Sequence, residues 1–292
     1  MQVAVANPWA LPGPDPVRET FECAHFAGVV RALLGHAPGG RVLDLGCGDG
    51  LVERVAGPRL EAYVGVDLHP AHGMRAVRAD LREGLGDLGR ERFDLYVGTF
   101  GIASHLAPQE LRDLLREIAA SAAPRALVAL EALGLYSLEW PGTWDAPPGA
   151  GRAMSYRLTS DLTVHPWAPI ELAALFEETG LKFLGAIDRT VQAAPKAGEA
   201  RSWPGVPRLR AGLSALLAGD LRGGSPLSHP LPPLPAHPAA VAHHALAADR
   251  RTLIHRTGSL DGPALARAVW ALEPTAGRGL GHGVLAVGRV RR

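Results

Sequence analysis

R-V-L-D-L-G-C-G-D-G, from Arg41 to Gly50, decides how this chain folds. Val42, Leu43 and Leu45 form the short continuous apolar run of a strand buried on both faces. Asp44 is an acid inside that run, where it is expensive unless hydrogen-bonded. Gly46, Gly48 and Gly50 come next at intervals of two. Lacking a Cβ, they let the backbone turn sharply and come close to a ligand. Dinucleotide and phosphate sites share such strand–glycine-loop–helix turns, so the residues after Gly50 make the choice.

Those residues hold three more strand-like runs. Tyr63 to Asp67 is the second strand, with Asp67 placed 23 residues after Asp44. Val77 to Leu81 is the third, with Asp80 thirteen residues further on, and Phe93 to Gly98 is the fourth. The ordered series resembles the class I S-adenosylmethionine (SAM)-dependent methyltransferases, in their small-molecule branch. That resemblance implies a Rossmann-like α/β fold, a seven-stranded sheet that is mostly parallel with an antiparallel last strand. It implies SAM as cofactor, held by Asp44, Gly46, Cys47, Gly48, Asp67, Leu68, Asp80, Leu81, Thr99 and Phe100. The glycine turn would meet the methionine part, Asp67 the ribose and Asp80 the adenine. The chemistry suits these roles, because one carboxylate can accept from two vicinal hydroxyls. Asp80 can accept from the exocyclic amine while the Leu81 N–H donates to a ring nitrogen. Asp80 read alone is equally a helix N-cap before Leu81, Arg82 and Glu83.

The rival readings fit less well. A dinucleotide fingerprint, G-x-G-x-x-G, wants glycine where Leu51 stands, and it accounts for neither Asp44 nor Asp80. No lysine follows the glycines, as a P-loop requires.

The 292 residues suffice for one large α/β domain or for a core with an elaborated cap. Residues 1–40 read as a proline-rich arm and a cover helix, Arg18 to Leu34. Residues 41–189 read as the SAM-binding core, 190–282 as an insertion or cap, and 283–292 as the last strand. A net charge of +1 gives no electrostatic pull toward nucleic acid or an anionic membrane. No apolar run approaches the ~20 residues of a membrane span. The N-terminus lacks the basic and apolar regions of a secretory signal. Cys23 and Cys47 make no disulfide framework. These features point to a cytoplasmic protein.

The fourth strand runs into Thr99 to Leu106, a stretch that ends in His-Leu. In many small-molecule methyltransferases a similar stretch lines the pocket near the transferable methyl, so His105 is the first candidate base. A histidine that packs beneath the next helix, Pro108 to Ala119, is the plain alternative. Gly98-Thr99-Phe100-Gly101 stands where amino-methyltransferases of nucleic-acid bases carry an Asn/Asp/Ser-Pro-Pro-aromatic motif. No cysteine is placed for methylation at C5 of cytosine. Ala126 to Leu135 reads as the fifth strand, Pro169 to Thr179 as a helix and Leu181 to Asp188 as the sixth strand.

Residues 136–168 form a long connection holding Tyr136, Trp140, Trp144, Tyr156 and Trp167. An aromatic cluster at this edge suits a flat acceptor, so Tyr136, Trp140, Trp144 and Tyr156 are candidate substrate contacts. A local mini-core reads equally well. His165, in the same loop, is a second candidate base. Beyond residue 189 two helices are expected, Pro207 to Leu217 and Pro263 to Leu272. Between them six prolines fall from Pro226 to Pro238, which marks Gly223 to Ala240 as extended. His243, His244 and His255 have no acid or cysteine at ligand spacing, so no metal site is expected.

The reading is methyl transfer from SAM to an oxygen or nitrogen of a small-molecule acceptor, with secondary metabolism as a setting. A homodimer is kept open. Two alternatives stay open too: a methyltransferase acting on protein or RNA, and a SAM-binding protein that does not catalyse.

Overall fold

The structure, a computed structural model, describes residues 15–56, 62–147, 152–157, 161–193, 206–220, 227–228, 230–257, 260–276 and 279–292. The Arg41–Leu45 run forms β1, buried from Val42 onward. The chain then lays β2 (Ala62–Asp67) and β3 (Ala76–Arg78) to one side. It returns to place β4 (Leu95–Gly98) and β5 (Leu127–Leu133) on the other side of β1. All five strands are parallel. A hairpin of β6 (Met154–Arg157) and β7 (Asp161–Val164) stands apart from this sheet. Then come β8 (Leu181–Asp188), β9 (Thr275–Ala276) and β10 (Gly283–Val290). β10 inserts antiparallel between β5 and β8, which gives the order β3-β2-β1-β4-β5-β10-β8-β9. Seven of these strands make the mixed sheet expected from the sequence. The eighth, β9, is a two-residue addition at the edge.

Helices cover both faces. α1 (Cys23–His36) and α2 (Leu51–Ala56) lie on one, where Val30, Leu33 and Val52 pack on Val42, Leu95 and Ala129. α3 (Pro108–Ser121) and α4 (Pro169–Glu178) cover the other, with Leu115, Ile118 and Phe176 among the buried side chains. Both start alike, because proline suits the first turn. A glutamate two residues after that proline turns back to the free backbone N–H: Ala107 donates to Glu110 at 2.6 Å, and Ala168 to Glu171 at 2.9 Å.

β3 and β4 are shorter than the apolar runs suggested. β3 ends at Arg78 because the Asp80 carboxylate accepts from the Arg82 N–H and caps a 3₁₀ turn, Leu81–Glu83. Residues 136–168 are not all loop, since they contain the β6–β7 hairpin.

Residues beyond 193 add α5 (Val206–Ala218), α6 (Pro238–Thr257) and α7 (Gly262–Trp270). Leu209, Leu213, Leu216, Leu265 and Val269 share a core with Val17 and Phe21, which precede α1. Phe21 stacks on Trp270 at 5.0 Å. Glu273 closes the unit on the sheet: its Oε2 accepts from Val191, Gln192 and Ala193 N–H at 2.9, 2.6 and 2.9 Å. The extended reading of Gly223 to Ala240 fails at its end, where Pro238 opens α6. α6 itself carries no apolar stripe in the sequence. Its buried positions recur at helical spacing, but all except Ile254 are small or polar, Ala239, Ala240, His243, Ala247 and Arg250, which marks no stripe.

Buried charges join these parts. A π-helical turn, Arg18–Glu22, leads into α1 and sends the fully buried Glu22 inward. Its carboxylate accepts from Arg189 at 2.5 Å and from Arg210, on α5, at 3.1 Å. Arg189 also donates to Glu131 of β5 at 2.7 Å, and Arg210 to Asp15 at 2.6 Å. Removing one partner of such a set strands the others without compensation. Glu22→Ala should therefore lower the unfolding free energy by about 3 kcal/mol in urea titrations. A loss below about 1 kcal/mol, the value of an exposed pair, would show that water reaches the network.

Candidate active site

A cavity of about 820 Å³ opens at the carboxyl edge of the sheet, where β1 and β4 send the chain in opposite directions. This is the switch point at which open α/β sheets bind ligands. Its floor is the glycine turn. Gly46 and Cys47 donate their N–H groups to Val66 O at 2.8 and 3.0 Å, which folds the turn back over β2. Gly46 has φ +71°, and a Cβ there would lie 2.7 Å from Ile102. Only glycine satisfies both conditions.

Asp67, at the end of β2, lies beside this turn. Its Oδ2 accepts from Gly48 N–H at 2.9 Å and its Oδ1 from His69 N–H at 2.7 Å. Both oxygens keep a lone pair for a ligand, so the carboxylate is fixed but unsaturated. Asp44 is buried beneath. Its Oδ2 accepts from the Tyr63 hydroxyl at 2.7 Å, while Oδ1 has no hydrogen-bond partner among the described residues. Burial lifts its pKa to about 7, against the Tyr63 hydrogen bond and with the help of the Asp67 charge. Burial, then the Asp44 and Asp67 charges, push the Cys47 thiol up to about 12, which leaves it inert as a nucleophile.

Asp80 and Leu81 line the same side. Arg82 Nε donates to the Asp80 carboxylate at 2.9 Å, and this hydrogen bonding holds the carboxyl below its usual range. Leu68, at 36% exposure, sits at the mouth. Thr99 and Phe100 leave β4 at the far side, Phe100 with a positive φ of 55°. Two guanidinium groups lie over its ring, Arg18 at 4.5 Å and Arg189 at 5.3 Å from the centroid.

His105 and His165 both line the cavity. His105 ends a 3₁₀ turn, and burial brings its pKa down to about 4. His165 follows β7, its backbone N–H donating to Ser104 O at 2.8 Å; burial lowers its pKa also. The aromatic candidates lie elsewhere. Trp140 Nε1 donates to Leu135 O at 2.9 Å, and Trp144 Nε1 to Ser137 O at 3.0 Å. Both rings are buried with Leu138 and Ala240, against α6. Tyr136 stacks on His237 at 4.9 Å, and its carbonyl meets His243 Nε2 at 2.9 Å. None of these three lines the cavity. They form the local mini-core that pins the loop to α6. Tyr156 lies on β6, opposite Leu162.

Arg18, Arg189 and His282 also line the cavity, and sequence reading does not find them. They come from distant parts of the chain and carry no local motif. Glu131 does leave a signal, as the lone acid in L-V-A-L-E-A-L. Among the described residues no group of three or more His, Cys, Asp or Glu could hold a metal ion, and no helix is long and apolar enough to cross a membrane.

Residues 18–184 match the family model described as a methyltransferase domain, more than half of the chain. The chain belongs to this family. It is a methyltransferase, and SAM is its cofactor. The fixed but unsaturated Asp67 and the side-chain-free glycine turn fit that molecule. Among solved structures, the methyltransferase is similar to a SAM-bound amino pentose methyltransferase of Micromonospora echinaspora. The two share 20% identity over 56% of this chain and 83% of that one, with TM-score 0.40. A SAM-dependent methyltransferase from Archaeoglobus fulgidus is similar over 93% of this chain and 97% of that one, at 15% identity and TM-score 0.46. A sugar N-methyltransferase from Streptoalloteichus sp. covers 63% of this chain and 91% of its own, at 20% identity and TM-score 0.43. The comparison with curated proteins finds no match.

The Asp44 carboxyl gives a pH signature. Its raised pKa means that the folded state holds the proton more tightly than the unfolded chain. The stability this supplies is complete below about pH 4 and is lost as pH rises through about 7. Asp44→Asn should flatten the fall in stability between those values, measured by urea denaturation across the range. An unchanged slope would mean that another group titrates.

Proposed function

We propose that the methyltransferase moves the methyl of SAM to an oxygen or nitrogen of a small molecule bound in this cavity. The observation that carries the reading is the Asp67 carboxylate, held by two backbone N–H groups beside the glycine turn and still able to accept from paired hydroxyls. In this reading Asp67 takes the ribose, Leu68 and Leu81 flank the adenine, and Asp80, clamped by Arg82, edges it. Gly46, Cys47 and Gly48 present backbone to the methionine part above Asp44, and Thr99 and Phe100 close the far side.

When bound, SAM supplies a methyl on a sulfonium that an in-line nucleophile can displace. The chain's own work is alignment and the exclusion of water. Leu162, Thr163 and His165 from the hairpin roof the acceptor side, and Arg18 closes it from the N-terminal helix. Arg210 does not rim the cavity, being buried against Asp15 and Glu22. His105 and His165 face the acceptor side as neutral imidazoles.

Calorimetric titration with S-adenosylhomocysteine (SAH) tests the cofactor assignment. Asp67→Ala should weaken binding by more than ~1 kcal/mol, the value of charge-assisted hydrogen bonds. Unchanged affinity would remove Asp67 from the site. For the acceptor, transfer from methyl-labelled SAM to catechol, glucosamine and a primary alkylamine should label at least one of them. Label appearing only in added protein or RNA would favour a macromolecular acceptor.

A further inference from the structure

We propose that His282 is the base that takes the acceptor's proton, with Glu139 as its positioning residue. The proposal rests on the cavity being the site of methyl transfer. His282 Nδ1 lies 2.5 Å from Glu139 Oε2, and the two side chains are 5% and 7% exposed. A carboxylate buried to this degree is costly unless a cation or a hydrogen-bond donor meets it. The imidazole meets it at 2.5 Å, and the Ser137 hydroxyl donates to the same oxygen at the longer distance of 3.4 Å. With Nδ1 turned to the carboxylate, Nε2 is the nitrogen that exchanges protons with a ligand.

The backbone fixes the ring where it is needed. His282 N–H donates to Thr190 O at 2.7 Å, and His282 O accepts from Gly134 N–H at 2.9 Å. The residue is thereby clamped between the exit of β8 and the carboxyl end of β5. Trp140, whose indole N–H is bound to Gly134 O and Leu135 O, packs its ring 6.3 Å from the imidazole and supports Glu139 from the next position in the chain. His282 lines the cavity together with Leu133 and Arg189, as does the glycine turn. His105 and His165 share the cavity, but burial pulls both toward weaker basicity, His105 to about 4. Glu110 acts on His165 only at a distance.

The step balances. As a lone pair of the acceptor oxygen or nitrogen bonds to the methyl carbon, the carbon–sulfur pair goes to sulfur. The proton released by the acceptor passes to His282 Nε2, and Glu139 holds the imidazolium that forms.

The test uses ¹⁵N-histidine-labelled full-length protein, with the His282 resonances assigned by their loss in His282→Gln. Two probes are compared: SAH, and sinefungin, which carries an amine on carbon in place of the methylated sulfur. A base that faces the reacting methyl feels the added charge. The His282 Nε2 resonance should shift between the two complexes by more than that of any histidine outside the cavity, with Nδ1 still protonated. A His282 signal identical in both complexes would overturn the proposal. SAH that fails to bind would instead sink the reading of the cavity. With any acceptor that is labelled in the transfer assay, His282→Gln should lower turnover by about 100-fold while SAH affinity stays within about twofold. Glu139→Gln should move the acid limb of the pH–rate profile to lower pH, because the imidazolium loses its carboxylate partner. Full turnover in His282→Gln, or an unaltered profile in Glu139→Gln, would return the pair to a structural role.

Discussion

Glu22 joins the molecule's parts. It leaves a π-helical turn at the start of the N-terminal helix and meets two arginines, one at the exit of β8 and one on α5. Through Arg189 the contact reaches Glu131 in the middle of the sheet, and through Arg210 it reaches Asp15. Three carboxylates and two guanidinium groups thus pair with one another at buried or largely buried positions. Such a set has strict geometry, because a displaced member leaves buried charge uncompensated. It therefore fixes the N-terminal helix and the late helices against the sheet at one place, beside the cavity. The Arg189 guanidinium faces the Phe100 ring as well as the acids, so the same group that braces the fold also shapes the far wall of the site.

The cavity divides into two halves of different origin. The glycine turn, Asp44, Asp67 and Asp80 come from the first three strands and are joined by short-range contacts, such as Gly48 N–H to Asp67. The other half is assembled from distant segments of the chain. Arg18 comes from the first described helix, His165 from the hairpin, Arg189 from the exit of β8 and His282 from the start of β10. A half built of near neighbours suits a cofactor shared by the family. A half built of distant loops can vary without disturbing it.

The aromatic loop shows how sequence pattern can point to two outcomes. Tyr136, Trp140 and Trp144 suit a flat ligand by composition, but each indole N–H finds a backbone carbonyl within its own loop. The rings are then used to seat α6, whose small alanines fit against them. An indole that satisfies its donor locally can be buried in full, and a buried ring offers a ligand no face.

The parallel sheet, the glycine turn and the acids at strand ends are legible because each is a local pattern. An apolar run must be a strand, a glycine must allow a positive φ, and an acid in such a run must have a partner. The same reasoning sees α5 and α7 through their leucines and misses α6, whose buried face is alanine, histidine and arginine apart from Ile254. Periodicity and the spacing of near residues were therefore enough to settle the fold and to predict that the glycine turn, Asp67 and Asp80 meet at one cavity. Which side chains complete the other half was settled by folding. His282 and Glu139 stand 143 positions apart in number, and nothing local to either residue draws them to 2.5 Å. The antiparallel insertion of β10 beside β5 brings them together, and that pairing is a property of the folded sheet.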